Sequence, residues 1–313
     1  MQVESFRVFR DLVESQSFSK AAKMNGVTQS AVSQQIRAME ELFHVPLIER
    51  SSKRFSLTRE GDLLYHTSKE ITSQVDAFQH QLDEMRDIVS GNIRVTTVYS
   101  IGLHELPPYL KIFLKEYPNV NVHVEYRRSN QVYDEVLDGT SDVGLVAFPI
   151  QKKGLKIEPF KKDKLVIICS PNHPLAKKKE VEMSDLQPHR FIGFEPDIPT
   201  RRAIDRIFGD RNVDIKPVME FDNIETVKRA VEIDAGVSIV PRATIEQELK
   251  ANSIVMLEFK GQEHSRPLGI VYKNSRVLSP ALKRFLSCLQ SASVNGTPVD
   301  HESDSIPVVA AGK

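Results

Sequence analysis

The run Thr28-Gln29-Ser30-Ala31-Val32-Ser33-Gln34-Gln35-Ile36-Arg37-Ala38-Met39 constrains the fold more than any other stretch of the chain. Thr28 suits an N-cap, because its hydroxyl can accept a first-turn backbone N–H. Val32, Ile36, Met39 and Phe43 recur at i, i+4, i+7 and i+11, which predicts one buried stripe on a helix. Ser30, Ser33, Gln34 and Arg37 occupy the opposite stripe, with no acid before Glu40. Short donors and acceptors beside a single cation suit base edges and phosphates. A solvated amphipathic helix would carry the same stripe, so the flanks must decide.

Upstream, Ser19-Lys20-Ala21-Ala22-Lys23-Met24 reads as a short helix whose small residues let a second helix approach closely. Asn25-Gly26 supplies a tight turn, since both tolerate positive φ. A first helix from Val3 to Ser15 presents Phe6, Phe9 and Val13 to cover the other two. Downstream, Pro46 to Glu49 and Phe55 to Leu57 read as two short strands around a basic tip holding Arg50, Lys53 and Arg54. From Phe18 to Arg59 seven bases (Lys20, Lys23, Arg37, Arg50, Lys53, Arg54, Arg59) stand against three acids (Glu40, Glu41, Glu49), although the whole chain is neutral. That local excess of four positive charges favours a polyanion. The segment therefore reads as a winged helix-turn-helix over residues 1–58, with Ser19, Lys20, Thr28, Gln29, Ser30, Ser33, Gln34, Arg37, Arg50, Lys53 and Arg54 as candidate contacts to double-stranded DNA.

These residues resemble the LysR-type transcriptional regulators. The likeness rests on Phe6, Phe9, the run Val13-Glu14-Ser15-Gln16-Ser17-Phe18-Ser19-Lys20-Ala21-Ala22, the run Gln29-Ser30-Ala31-Val32-Ser33-Gln34-Gln35-Ile36, and Leu57-Thr58-Arg59-Glu60-Gly61, in the family's order and spacing. Thr28 stands where serine is usual, Met24 for leucine, His44 for a frequent glycine and Ile48 for phenylalanine. Only His44 alters backbone demands, where the recognition helix gives way to the wing.

Between Thr58 and Val89 there is no proline, and Gly61 is the only glycine. Leu64, Ile71, Val75, Phe78, Leu82, Met85 and Val89 follow a 3.5-residue period, with Ser68 the one polar interruption, which predicts a linker helix over residues 59–89 with a coiled-coil seam. Such a stripe could also pack on the chain's own domains. The resemblance favours a second copy, since the family's linker helices pair antiparallel. A dimer would place two recognition helices about one turn of duplex apart, roughly 34 Å, on an inverted repeat.

A chain of 313 residues at 40% hydrophobic is long enough for two or three packed domains. No apolar run approaches the roughly 20 residues that span a bilayer. Met1-Gln2-Val3-Glu4 lacks the basic start and apolar core of a signal peptide, so a cytoplasmic location is expected. Cys169 lies in a strand-like run and Cys288 in the last helix, which suggests buried thiols rather than a disulfide.

From residue 90 onward strands alternate with helices. The expected strands are Ile93 to Tyr99, Val120 to Tyr126, Val143 to Phe148, Leu165 to Ser170, Phe191 to Phe194, Pro217 to Phe221, Gly236 to Val240 and Leu268 to Tyr272. The expected helices run from Pro107 to Glu116, Gln131 to Leu137, Thr200 to Phe208, Asn223 to Ile233 and Pro280 to Gln290. Ser100-Ile101-Gly102 reads as a turn. The order suggests two α/β lobes over residues 90–290, joined by strands crossing near Phe160 and His264. Lobe I takes residues 90–160 and 265–290, lobe II residues 161–264. The resemblance implies the family's effector domain, built like a periplasmic binding protein, so the fold class is α+β multi-domain. The tail, residues 291–313, has few large apolar groups and reads as disordered.

Ligands of open α/β lobes settle at carboxyl ends of strands and N-termini of helices. Those places hold Ser100, Ile101, Ser129, Asn130, Thr200, Arg201 and Asn223, with Arg127, Arg128 and Arg202 nearby. Hydroxyls, amides and free helix N–H groups suit an anion, so a small anionic effector between the lobes is expected. Ordinary caps and solvated arginines are the alternative at each position. Nine dispersed histidines lack zinc spacing, and no glycine-rich phosphate loop or nucleophile–base pair is visible. Asp134, Glu135, Asp138 and Asp142 read as a solvated acidic run. Lys161-Lys162-Asp163-Lys164 and Lys177-Lys178-Lys179 read as exposed loops. Neither metal nor cofactor is expected, and an enzyme or a solute receptor fits less well than a regulator. The resemblance further implies a homodimer or dimer of dimers that bends promoter DNA and meets RNA polymerase.

Overall fold

The computed structural model describes residues 2–49, 55–84, 89–274 and 278–291, and the chain divides into two compact units, residues 1–88 and 89–313. The first unit opens with α1 (Val3–Ser15), α2 (Phe18–Met24) and α3 (Gln29–Phe43). The Ser17 hydroxyl accepts from the Lys20 amide at 3.4 Å and Thr28 Oγ1 from the Ala31 amide at 3.2 Å, so α2 and α3 both open on side-chain caps. Gly26, at φ 64°, turns the chain between them. Val8, Phe9, Leu12, Ala21, Ala22, Val32, Ile36, Met39 and Leu47 form the core. Buried Asp11 ties the turn down, accepting from Asn25 Nδ2 and from Arg10 Nε at 2.9 Å each. The predicted stripe on α3 ends one residue early: Phe43 is 40% exposed, because the helix stops there and His44 turns away in the left-handed region.

The wing begins where Glu40 Oε1 accepts from the Leu47 amide at 2.9 Å and the Ile48 amide at 3.4 Å. Ile48 then bridges Leu57 antiparallel. Thr58 closes it, donating to the Pro46 carbonyl at 2.7 Å and accepting from the Gly61 amide at 2.9 Å at the head of α4 (Arg59–Glu84). A Cβ on Gly61 would lie 2.0 Å from the Leu47 carbonyl oxygen, so only glycine lets α4 pass this close to the wing. Along α4, Tyr65 meets Glu14, Thr72 meets Arg10 and Asp76 meets Arg7, which sets α1 and α4 antiparallel and buries Ser68 and Thr72. The predicted seam is therefore split. Leu64, Ile71 and Val75 are half-buried, while Phe78 (59% exposed) and Leu82 (39%) stay uncovered. Met85 lies outside the described residues.

The second unit runs β1 (Gly91–Thr97), α5 (Tyr99–His104), α6 (Pro107–Glu116), β2 (Val120–Tyr126), α7 (Ser129–Asp138), β3 (Val143–Ala147) and β4 (Leu155–Cys169). It continues through β5 (Glu180–Val181), α8 (Met183–Leu186), β6 (Phe191–Phe194), α9 (Pro199–Asp210), β7 (Pro217–Phe221) and α10 (Ile224–Glu232). β8 (Ser238–Pro241), α11 (Glu246–Ala251), β9 (Val255–Phe259), β10 (His264–Lys273) and α12 (Pro280–Gln290) complete it. The main sheet has the order β2-β1-β3-β10-β4-β9-β5, with β8 also on β4, and β6 pairs β7 separately. β1 is parallel to β2 and β3, as helical crossovers require, while β10 runs antiparallel to β3 and β4. The first part of β4 pairs β10 as far as Leu165 opposite His264, and its last residues pair β8 and β9. β4 and β10 thus carry the sheet from one lobe core (Ile93, Val95, Phe113, Leu145, Ile270, Phe285) to the other (Val166, Ile168, Leu186, Ile204, Val227, Ile239).

Three expectations need correction here. Lys161-Lys162-Asp163-Lys164 is not an exposed loop but the middle of β4, where pairing with β10 overrides poor strand propensity and Asp163 is buried. Ser100-Ile101-Gly102 is helical within α5 rather than a turn. Asp142 is buried, accepting from the Arg94 amide at 2.7 Å, so the acidic run is partly structural. The predicted tail after Ser291 lies outside the described residues.

Candidate nucleic-acid interface and effector cleft

On α3, burial of Val32, Ile36 and Met39 forces the opposite stripe outward. Gln29, Ser30, Gln34 and Arg37 are exposed and Ser33 is half-buried. No hydrogen bond or ion pair among the described residues engages the Arg37 guanidinium, nor do any engage the Lys20 ammonium or the Ser19 side chain. Thr28 is exposed as well, but its hydroxyl is committed to capping and sits 2.9 Å from the Ser30 hydroxyl. First-turn amides, a free cation and short polar groups together make a face that can hold phosphate and read base edges. Arg50, Lys53 and Arg54 lie outside the described residues.

In the second unit the helix starts named by the sequence converge through ion pairs. Arg128, just before α7, reaches lobe II, with Glu195 and Asp197 both at 2.8 Å and Asp222 at 3.8 Å. That brings the start of α7, with Ser129 and Asn130, beside the starts of α9 and α10. Among the described residues no hydrogen bond occupies the Ser129, Asn130 or Thr200 side chains, so none of them is spent on capping. Ser100 is half-buried on α5, and the nearby Tyr99 ring stacks on Tyr126.

Two of the predicted contacts are placed differently. Ile101 is wholly buried in the lobe I core, and its amide donates to Val98, so it presents nothing to a ligand. Arg201 is engaged by Asp205 at 2.8 Å, Glu220 at 2.5 Å and the Phe194 carbonyl. Arg127 is likewise held by Glu135 and Glu125. Arg127, Arg128 and Arg201 are thus already neutralised by carboxylates, whereas among the described residues Arg202 donates only to the Asp197 carbonyl at 3.4 Å.

The sequence reading missed the charges beneath Ser100. Arg266 on β10 is 2% exposed; its Nη2 lies 2.8 Å from Asp163 Oδ2, and its Nη1 donates to Ser100 Oγ at 2.9 Å. Burial pulls the Arg266 pKa down, against the Asp163 charge that supports it. Glu105 accepts from Lys161 Nζ at 2.8 Å. At the other end of α5, His104 meets Glu225 of α10 at 2.8 Å, and buried Lys228 joins Glu225, Glu248 and the Thr244 carbonyl. Burial works to raise the Glu225 pKa, but hydrogen bonds from His104 and Lys228 outweigh it and hold the carboxyl below its ordinary value. The available signal was Arg266 heading the apolar run from Leu268 to Tyr272, a charge with no surface reason to be there. Cys169 is buried, and burial pushes its thiol up to about 11, which leaves it unreactive.

Among the described residues no helix is long and apolar enough to cross a membrane. Residues 3–62 match the family described as bacterial regulatory helix-turn-helix protein, lysR family, and residues 86–293 match the LysR substrate binding domain. The HTH-type transcriptional regulator CysL of Bacillus subtilis (strain 168) is 28% identical over 291 residues, covering 93% of this chain and 97% of that one. A full-length OxyR variant from Pseudomonas aeruginosa shares the fold with a TM-score of 0.72 at 19% identity, covering 94% of this chain and 99% of its own. Full-length CbnR complexed with its target DNA does so with a TM-score of 0.64 at 19% identity, covering 93% and 99%.

Proposed function

The chain belongs to the LysR family of bacterial helix-turn-helix regulators, and from that premise we propose that it reads an inverted-repeat operator under the control of a small anionic effector held between the two lobes of its effector-binding domain. The family is one of transcriptional regulators and not of enzymes. The observation that carries the DNA reading is the exposed face of α3, where the unengaged Arg37 guanidinium stands with Ser30 and Gln34 opposite a fully buried stripe. Arg37 is bidentate to a guanine, Ser30, Ser33 and Gln34 meet neighbouring edges or phosphates, and Arg50, Lys53 and Arg54 hold the backbone. Arg37→Ala is expected to cost about 1–3 kcal/mol at the specific site and little on random DNA. Equal affinity of variant and wild type for the operator, measured by fluorescence anisotropy at fixed salt, would remove Arg37 from the reading.

The effector reading is supported by the unspent side chains of Ser129, Asn130 and the buried Thr200 at neighbouring helix starts, and by the half-buried Ser100 on α5. The chain works as a homodimer or dimer of dimers in the cytoplasm, engages RNA polymerase at the promoter and carries no resident cofactor.

A further inference from the structure

Three of the four arginines expected from the sequence to bind an anion, Arg127, Arg128 and Arg201, are matched by acids, so the cleft needs another source of selectivity. Arg266 provides one. Its guanidinium is buried on the strand that crosses between the lobes, and it touches the half-buried Ser100 hydroxyl. Arg266 Nε and Glu105 Oε1 are both buried with no hydrogen-bond partner, so this polar cluster is not closed by groups of the chain among the described residues. A hydroxyl has one proton to donate and can accept two bonds, whereas a guanidinium can only donate. With Arg266 Nη1 donating to Ser100 Oγ, the Ser100 proton must point elsewhere, and a charge-assisted bond accepted on one side strengthens the donor on the other.

We infer that Arg266 is a positioning residue for the effector: by donating to Ser100 Oγ it occupies one acceptor position and turns the hydroxyl proton away from itself, so the cleft favours ligands that offer an acceptor oxygen there, a carboxylate, phosphate or sulfate oxygen. Asp163 neutralises the guanidinium, so the selection is made by hydrogen-bond polarity and not by net charge. This rests on the reading of Ser100 as an effector contact.

The test is a calorimetric titration of the full chain with sulfate, phosphate and acetate at constant ionic strength, with methylammonium as a donor-only control. Hydrogen exchange over residues 98–105 and 127–131 localises the binding. Arg266→Gln, Ser100→Ala and their combination form a double-mutant cycle. The pair Arg266→Gln with Asp163→Asn removes both buried charges together, and cooperative melting verifies that it folds. Expected are binding of at least one oxyanion, weaker or no binding of methylammonium, and a loss of about tenfold in oxyanion binding in either single variant. The combination should be no weaker than Ser100→Ala alone, because one interaction has been removed twice. If Ser100→Ala weakens binding but the charge-neutral pair binds as the wild type, the positioning role is wrong while the effector cleft stands. If no oxyanion protects these segments, the anionic-effector reading falls and the role of Arg266 with it.

Discussion

Arg37 and Arg266 carry the same side chain to opposite ends. One is exposed and unengaged on a helix whose other face is buried, and the other lies inside a sheet, bonded to Asp163 and Ser100. The first was legible in the sequence because a 3.6-residue period assigns each residue a face. The second was not, since the partner of a buried charge lies 103 residues away in the chain and sequence spacing cannot supply it. The same contrast holds at His44. The LysR likeness marked it as a place where glycine is frequent, and the structure supplies the cause, φ 57° at the end of α3. A non-glycine residue in the left-handed region carries strain, partly offset by the lower chain entropy it loses on folding. His44→Gly should therefore stabilise the first unit by about 0.5–1 kcal/mol, read as a higher urea midpoint. A lower midpoint would mean that the imidazole makes a contact worth more than the strain.

Among the elements, α1 to α3 follow from caps, turns and periodicity, whereas β4 and α5 do not. β4 carries four charged residues in succession, and strand pairing across the lobes overrode what local propensity predicted. α5 is six residues long, too short for a periodic signal, yet it brings Ser100 to Arg266 and His104 to Glu225. The His104–Glu225 contact ties α5 to lobe II, and its pH dependence has a definite sign. A carboxyl held below its ordinary value of 4.5 in the folded chain stabilises fully above that value and loses the contribution as pH falls through the lower, folded one. Thermal melts should accordingly show an acid-side loss below about 4.5 that Glu225→Gln makes shallower. An unchanged slope would show that the joint contributes nothing. On α4, α1 covers Ser68 and Thr72 but leaves Phe78 and Leu82 exposed, so half of the predicted seam is used within the chain. In the proposed dimer the uncovered half, Phe78 and Leu82, faces a second copy. Phe78→Ser with Leu82→Ser should shift sedimentation toward monomer without altering the melt of the first unit, and a retained dimer would move the interface elsewhere.

At the scale of the whole molecule, charge is the organising quantity. The chain is neutral, yet residues 18–59 hold an excess of four positive charges, whereas in the second unit three of the four arginines expected to bind an anion, Arg127, Arg128 and Arg201, are paired with acids. DNA affinity should thus be steeply salt-dependent and effector affinity far less so. The two-lobed architecture was legible because strands and helices alternate, but the strand that joins the lobes and the polar cluster within it were visible only once the fold paired them. The most direct measurement is footprinting of the purified chain on the DNA upstream of its own coding frame, at physiological salt and beside scrambled DNA. The account predicts a dimer protecting two half-sites with centres about 34 Å, one helical turn, or a multiple of it apart. A strictly monomeric chain with equal affinity for both DNAs would contradict it.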